Sequence, residues 1–209
     1  LSNADVQSFQ AAGHNVGIHP YGFKPDPYPP LSIDNLTEGF DLATSWYEST
    51  FSTPPPRSYR THQLYWEGWT TAASIAANKG YGLDTNFYHW GQWLRKQDGS
   101  FPMGYVTGSG QPMRFVDQSG NIIPVYQQLT QLVDEFLLGS ITSGYLANYG
   151  WVLPQYDAPQ ALQVSRALID ASQAGDYAAI MTQFHVDYYG YGSPQEWAEG
   201  VVDYAHANG

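Results

Sequence analysis

Apolar positions along the first ninety residues alternate between helical and strand-like spacing. In LSNADVQSFQAAG, Val6, Phe9 and Ala12 recur on one face, Ser2 or Asn3 can cap the helix, and Gly13 stops it. HNVGIHPY then reads as a short strand running into a Pro/Gly/Tyr loop. A second helix over roughly 35–50, capped by Asp34, places Leu36, Phe40, Ala43 and Tyr47 along one side. After the break STPPPRS, YRTHQLYWEGW reads as a strand with a turn at Glu67-Gly68. TTAASIAANKG is an Ala-rich helix ending at Gly80, and YGLDTNFYHW is another strand. This alternation predicts an α/β sheet or barrel with mainly parallel strands.

Residues 91–125 interrupt the rhythm. MRFVDQSGNIIPVY predicts a hairpin around Asp117–Asn121, an excursion spanning about 105–126 at one end of a barrel. The spacing in QQLTQLVDEFLL suits a helix. Alternation resumes with a helix over APQALQVSRALIDASQAG, with Pro159 near its start and Gly175 at its end. AAIMTQFHVDYY follows as a strand, and SPQEWAEGVVDYAHANG as a final helix with Ser193, Pro194 and Glu196 in capping-box positions. With no repeat and no low-complexity linker, 1–209 reads as a single domain. Because it opens on a helix feeding a strand and closes on a helix, it is expected to be part of a longer chain.

Charge changes the list of partners. Eight Lys and Arg against nineteen Asp and Glu, a net charge of −11, leave no basic face for nucleic acid or an anionic membrane surface. No apolar run approaches the ~18 residues of a membrane-spanning helix. Seven Trp, seventeen Tyr and nine Phe suit a carbohydrate partner, because sugar rings stack on aromatic faces; core filling explains most of them equally well. Cysteine is absent, so disulfides, thiol catalysis and thiolate metal sites are excluded, and any metal must be held by N and O donors.

Strand parity sorts the histidines. His14 and His19 lie five apart in GHNVGIHPYG, so on one strand they point to opposite faces and cannot share a metal. His19 falls at the C-terminal end, where parallel α/β folds bind ligands, and His14 at the other, structural end. In RTHQLYW, Arg60, His62, Leu64 and Trp66 share a face. In LDTNFYHW, Asp84, Asn86, Tyr88 and Trp90 share one while His89 points away. In MTQFHVDYY, Gln183, His185 and Asp187 share one, with Asp187 able to orient the His185 ring. His19, Arg60, His62, Asp84 and His185 can therefore converge on one pocket. For each histidine alone, a buried structural role is the commoner outcome.

These residues resemble the polysaccharide deacetylase superfamily. AAGHNVGIHPY is similar to its second, histidine-bearing motif, YRTHQLYW to its Arg-containing third motif, LDTNFYHW to its Asp/Trp strand and MTQFHVDYY to its late Leu-x-x-His strand. The resemblance spans nearly the whole chain in order. It implies a distorted (β/α) barrel of about seven strands, complete or incomplete, and hydrolysis of acetyl groups on a glycan by a metal-activated water. On that resemblance His19 is a metal ligand, His185 the general acid, and Arg60 with Asp84 a charge pair tuning the base. It also implies a divalent metal, zinc among the candidates, and an extracellular or cell-envelope location.

The chain departs from the pattern at two places. No Asp-Asp pair precedes the second motif, and Phe23 stands where the second ligand histidine is expected. Either an upstream segment supplies the aspartates and His62 completes the site, or metal is not bound in the family's manner. Three readings follow: a metal-dependent carbohydrate esterase or deacetylase-like hydrolase; a catalytically degenerate domain binding glycan through Tyr21, Tyr65, Trp66, Tyr88 and Trp90; and a structural domain with no site.

Overall fold

The computed structural model describes residues 1–20, 33–53, 56–66, 68–87, 110–142 and 154–208. The chain divides into two compact units, Leu1–Phe87 with Pro112–Gln128, and Tyr88–Gln111 with Leu129–Gly209.

In the first unit, helix α1 (Asn3–Ala11) starts from a capping box in which Ser2 and Asp5 satisfy each other's backbone N–H groups. Only Val6 of its expected apolar face is buried; Phe9 and Ala12 are exposed. Gly13, at φ +89°, ends it as anticipated. Helix α2 (Ile33–Thr50) buries Leu36, Phe40 and Tyr47 on one stripe, with Ala43 packed beside them. It begins one residue before Asp34, so Asp34 lies in the first turn rather than at the cap. Helix α3 (Thr71–Asn78) buries Ala72, Ala73 and Ala76, whose small side chains let it pack against α2. It stops at Gly80, φ +84°.

A four-stranded sheet forms from β1 (Ser58–Tyr59), β2 (Leu83–Asp84), β3 (Met113–Val116) and β4 (Ile122–Gln127), in the order β1–β2–β4–β3. β1 pairs parallel with β2 and β2 with β4, while β3 and β4 form an antiparallel hairpin. The hairpin is where the sequence places it. Its turn is held by Asp117, whose Oδ1 accepts from the Ser119 and Asn121 backbone N–H groups at 2.8 Å each. It is no excursion, however: β4 sits between β2 and β3 as an internal strand.

The sheet does not close into a barrel among the described residues. Its strands are also short, β1 and β2 being two residues long. The backbone N–H of Thr61, next in line for the ladder beyond β1, donates to the side-chain Oδ1 of Asn86 at 2.8 Å instead of to a strand carbonyl. Past that point the chain turns into a 3-10 segment, His62–Leu64, with Leu64 at φ +57°. The expected long strand through RTHQLYW is therefore absent, and parity does not govern His62, Leu64 or Trp66. HNVGIHPY is likewise reduced to a bridge, Ile18 pairing parallel with Tyr59.

In the second unit, β5 (Thr130–Val133) pairs parallel with β6 (Met181–Gln183). The helix expected over QQLTQLVDEFLL is instead this strand followed by one turn, α4 (Asp134–Leu137). All four residues of β5 are buried, and a strand covered on both faces has no alternation by which to recognise it. After α5 (Gly139–Thr142), α6 (Ala158–Ala171) opens on an Asp157–Gln160 capping box and carries Pro159 in its first turn. A π turn, Ser172–Asp176, with Gly175 at φ +143°, follows it. The final helix α7 (Ser193–Asn208) packs on α6. Trp197, fully buried, donates from Nε1 to Ser165 Oγ at 3.0 Å and packs edge-on against Phe184. The strand expected over AAIMTQFHVDYY is confined to β6, and Val186–Tyr191 is a 3-10 turn.

Candidate functional site

The first unit brings His19 and His62 together. The segments bearing them run side by side: Ile18 N–H donates to Ser58 O, Arg60 N–H to Ile18 O, and His62 N–H to Pro20 O at 2.9 Å. That parallel register sets His19 Nε2 3.2 Å from His62 Nδ1, with the rings nearly perpendicular at 87°. His19 is exposed and His62 half-buried. Burial lowers the pKa of His62 below its usual 6.5, which favours the neutral, lone-pair-bearing ring at pH 7. His14 is exposed, in edge contact with Phe9, and stands apart from this pair in the chain's path.

Beneath the loop ends lies a buried polar hub. Asn86 Oδ1 accepts from both the backbone N–H and the hydroxyl of Thr61, at 2.8 and 2.7 Å. Its Nδ2 donates to Asp84 Oδ2 at 2.7 Å, and its backbone N–H to Asp84 Oδ1 at 3.0 Å. Asp84 is fully buried. Burial raises its pKa, while the Tyr59 hydroxyl, the two Asn86 donors and the nearby charge of Arg60 oppose that rise. Tyr59 beside it is pushed far above the ordinary phenol range, by burial first and by the Asp84 carboxylate second. Arg60 thus acts on Asp84 as a nearby positive charge, and Asn86 donates to both carboxylate oxygens.

Among the aromatic candidates, Tyr65 and Trp66 are half-buried and pack on the core of this unit. The Trp66 indole stacks on Phe115 at 5.4 Å and meets Phe87 edge-on at 5.0 Å, so one face is already covered. Trp69, which the sequence reading passed over, is far more available, at 71% exposure, with Nε1 donating to Val116 O. Tyr21, Tyr88, Trp90 and Phe23 lie outside the described residues.

His185 belongs to the second unit. Its ring Nδ1 stands 2.8 Å from Asp134 Oδ1, and its backbone N–H donates to Asp134 Oδ2 at 2.6 Å. Asp187, expected to orient this ring, is exposed in the following 3-10 turn, and Asp134 does so instead. The sequence reading missed Asp134 because it falls in the stretch read as a helix. A signal was available, since a carboxylate directly follows Leu132-Val133, at the strand end where parallel sheets present their functional groups.

Two histidines make two donors. No group of three or more His, Asp or Glu side chains able to hold a metal ion occurs among the described residues. Likewise, no helix among them is long and apolar enough to cross a membrane.

No protein-family profile and no curated sequence matches the chain. Its structure is similar to the crystal structure of a Mycobacterium smegmatis protein provisionally named a polysaccharide deacetylase. The match has a TM-score of 0.60 and 13% identity and covers 98% of this chain. The chain spans 60% of that protein's length. At this identity the likeness is one of fold: a mixed α/β architecture with parallel strands and helices.

Proposed function

We propose that the chain is a hydrolase domain that removes acyl groups from a glycan with the help of a divalent ion, zinc among the candidates. The observation that carries this reading is the His19–His62 pair. Two nitrogens each about 2.0–2.1 Å from a tetrahedral zinc stand about 3.3–3.4 Å apart. The 3.2 Å between Nε2 and Nδ1, a hydrogen-bonding contact between the two rings, is close to that spacing, and a half-buried, preferentially neutral His62 suits a ligand. His19 and His62 would hold two positions of such a site, and further donors would have to come from beyond the described residues. An ion there would polarise the acyl carbonyl and make water a better nucleophile near pH 7. In the overall reaction water adds at the acyl carbon, the bond from that carbon to the glycan N or O breaks, and the leaving atom takes up a proton. On the resemblance Arg60 with Asp84 form the charge pair around the base. A glycan of this kind lies outside the cell or in its envelope, which is the proposed location.

The test is zinc titration by calorimetry on metal-stripped protein, with acetate release from acetylated chitooligosaccharides as the activity readout. One equivalent is expected to bind, at least about tenfold more weakly after His19→Ala or His62→Ala, with activity following occupancy. Zinc affinity equal to that of the double variant would overturn the reading. A second reading is a glycan-binding domain without activity, for which the 71% exposed Trp69 offers a face on which a sugar ring can stack. In that case oligosaccharide binding survives both histidine changes and is lost when Tyr65 and Trp66, with Tyr21, Tyr88 and Trp90, are removed.

A further inference from the structure

The β3–β4 hairpin leaves one face of its sheet uncovered. Along β4, Ile123 and Val125 are buried, while Ile122, Pro124 and Tyr126 are exposed, Ile122 most of all at 63%. Across the ladder Val116 pairs with Ile122 and Arg114 with Tyr126, so all five side chains share the outward face. Trp69 extends this strip at its Val116 end. Its Nε1 donates to Val116 O at 3.3 Å, and its backbone carbonyl accepts from Trp66 Nε1 at 3.4 Å. The indole is tethered by its edge, and most of its surface meets solvent.

The chemistry of the strip selects among partners. Arg114 is its only charge, and the guanidinium lies 4.9 Å over the Tyr126 ring. The hairpin's one acid, Asp117, is engaged within its own turn. A single cation in a chain of net charge −11 does not suit a polyanion, and the strip offers no carboxylate to a basic partner. Its exposed apolar area is on the order of 500 Å², below the roughly 800 Å² per partner of a stable protein interface. Ile122 to Tyr126 spans about 13 Å of strand, longer than one pyranose ring. A polymer of β-linked pyranoses meets these terms, with flat C–H faces in an extended line and hydroxyls along its rims.

We propose that the strip from Trp69 to Tyr126 docks an extended, uncharged β-1,4-linked polysaccharide. Trp69 stacks on one ring, Val116, Ile122 and Pro124 carry the chain along β4, and Arg114 donates to hydroxyls at the far end. The tether lowers the entropy lost when the indole is fixed by a ligand. The ligand class rests on the glycan reading above, yet docking needs neither histidine nor metal.

Co-sedimentation of the full chain with chitin particles, in EDTA, measures the docking. Wild type should bind saturably, and the His19→Ala/His62→Ala double variant should bind equally. Trp69→Ala should lower the association constant about tenfold, and Ile122→Thr, which keeps a β-branched side chain, several-fold. Trp46→Ala, which removes an exposed tryptophan from α2, should change nothing. Failure of the hydrolase reading shows as no acetate release with chitin binding kept. Wild type that stays in the supernatant, or Trp69→Ala and Ile122→Thr variants that bind like wild type, would overturn the proposal. So would a glycan-free wild-type dimer that Ile122→Thr converts to monomers, because the strip would then belong to a second copy.

Discussion

His19 Nε2 and His62 Nδ1 stand 3.2 Å apart although the residues are 43 positions apart in the chain. Their meeting is a backbone result: the Ile18–Ser58, Arg60–Ile18 and His62–Pro20 hydrogen bonds put the two segments in parallel register before either side chain is placed. Metal ligation needs both rings neutral. Zinc affinity should therefore fall by roughly tenfold or more between pH 7.5 and 5.5 and release protons at the lower value, which calorimetry in buffers of different ionisation enthalpy measures.

Gly17 gives a way to move the pair without touching it. A Cβ there would stand 2.8 Å from Ser58 Oγ and 3.0 Å from Ser58 O, the carbonyl that accepts the Ile18 N–H. The hydroxyl can rotate away; the carbonyl is fixed by its bond. Gly17→Ala should cost about 1–3 kcal/mol in urea unfolding. It should also reduce the rise in melting temperature on adding zinc, although both histidines remain.

Asp84 sets a pH dependence of known sign. Its pKa is raised in the folded state, so the folded chain binds that proton more tightly than the unfolded one. The contribution is fully present below the ordinary value of 3.8 and is lost as pH climbs through the raised folded value. The melting temperature of wild type minus that of Asp84→Asn should therefore decrease across this window, by a few degrees. A difference that stays flat or increases would remove Asp84 from the account.

Asn86 ties together the buried polar hub of the first unit. Truncation to Ala strands the Thr61 N–H and takes a donor from Asp84, both buried, and leaves the Thr61 hydroxyl to donate to Tyr65 O. With each stranded group worth about 1–3 kcal/mol, Asn86→Ala should destabilise by about 3 kcal/mol, measured by urea unfolding with an unchanged m-value. Asn86→Asp, which keeps the acceptor but sets a second carboxylate against Asp84, should be no better tolerated.

What could be read from the sequence follows from what periodicity can carry. The stripe Leu36–Phe40–Ala43–Tyr47 and the Asp117–Asn121 turn are local patterns, and both stand in the structure. β5 hides because burial on both faces erases alternation. Strand lengths after Tyr59 and Asp84 were misjudged for another reason: a side chain 25 residues away competes for the next backbone donor, and no local pattern announces that. The candidate site divides in the same way. His19 and His62 were named on strand parity, yet they meet through a bridge and a 3-10 turn where parity has no force. Asp134 was hidden by the misread strand that delivers it.

The amide of Asn86 takes the place that a peptide group would hold in a longer ladder. A side chain can be exchanged by one mutation, whereas a peptide cannot. The length of this sheet is thus under the control of a single residue, and so is the course of the backbone just before His62. Losing that amide leaves the Thr61 N–H unpaired and loosens the backbone that leads into His62, while the core formed by Phe40, Tyr59 and Val125 stays packed.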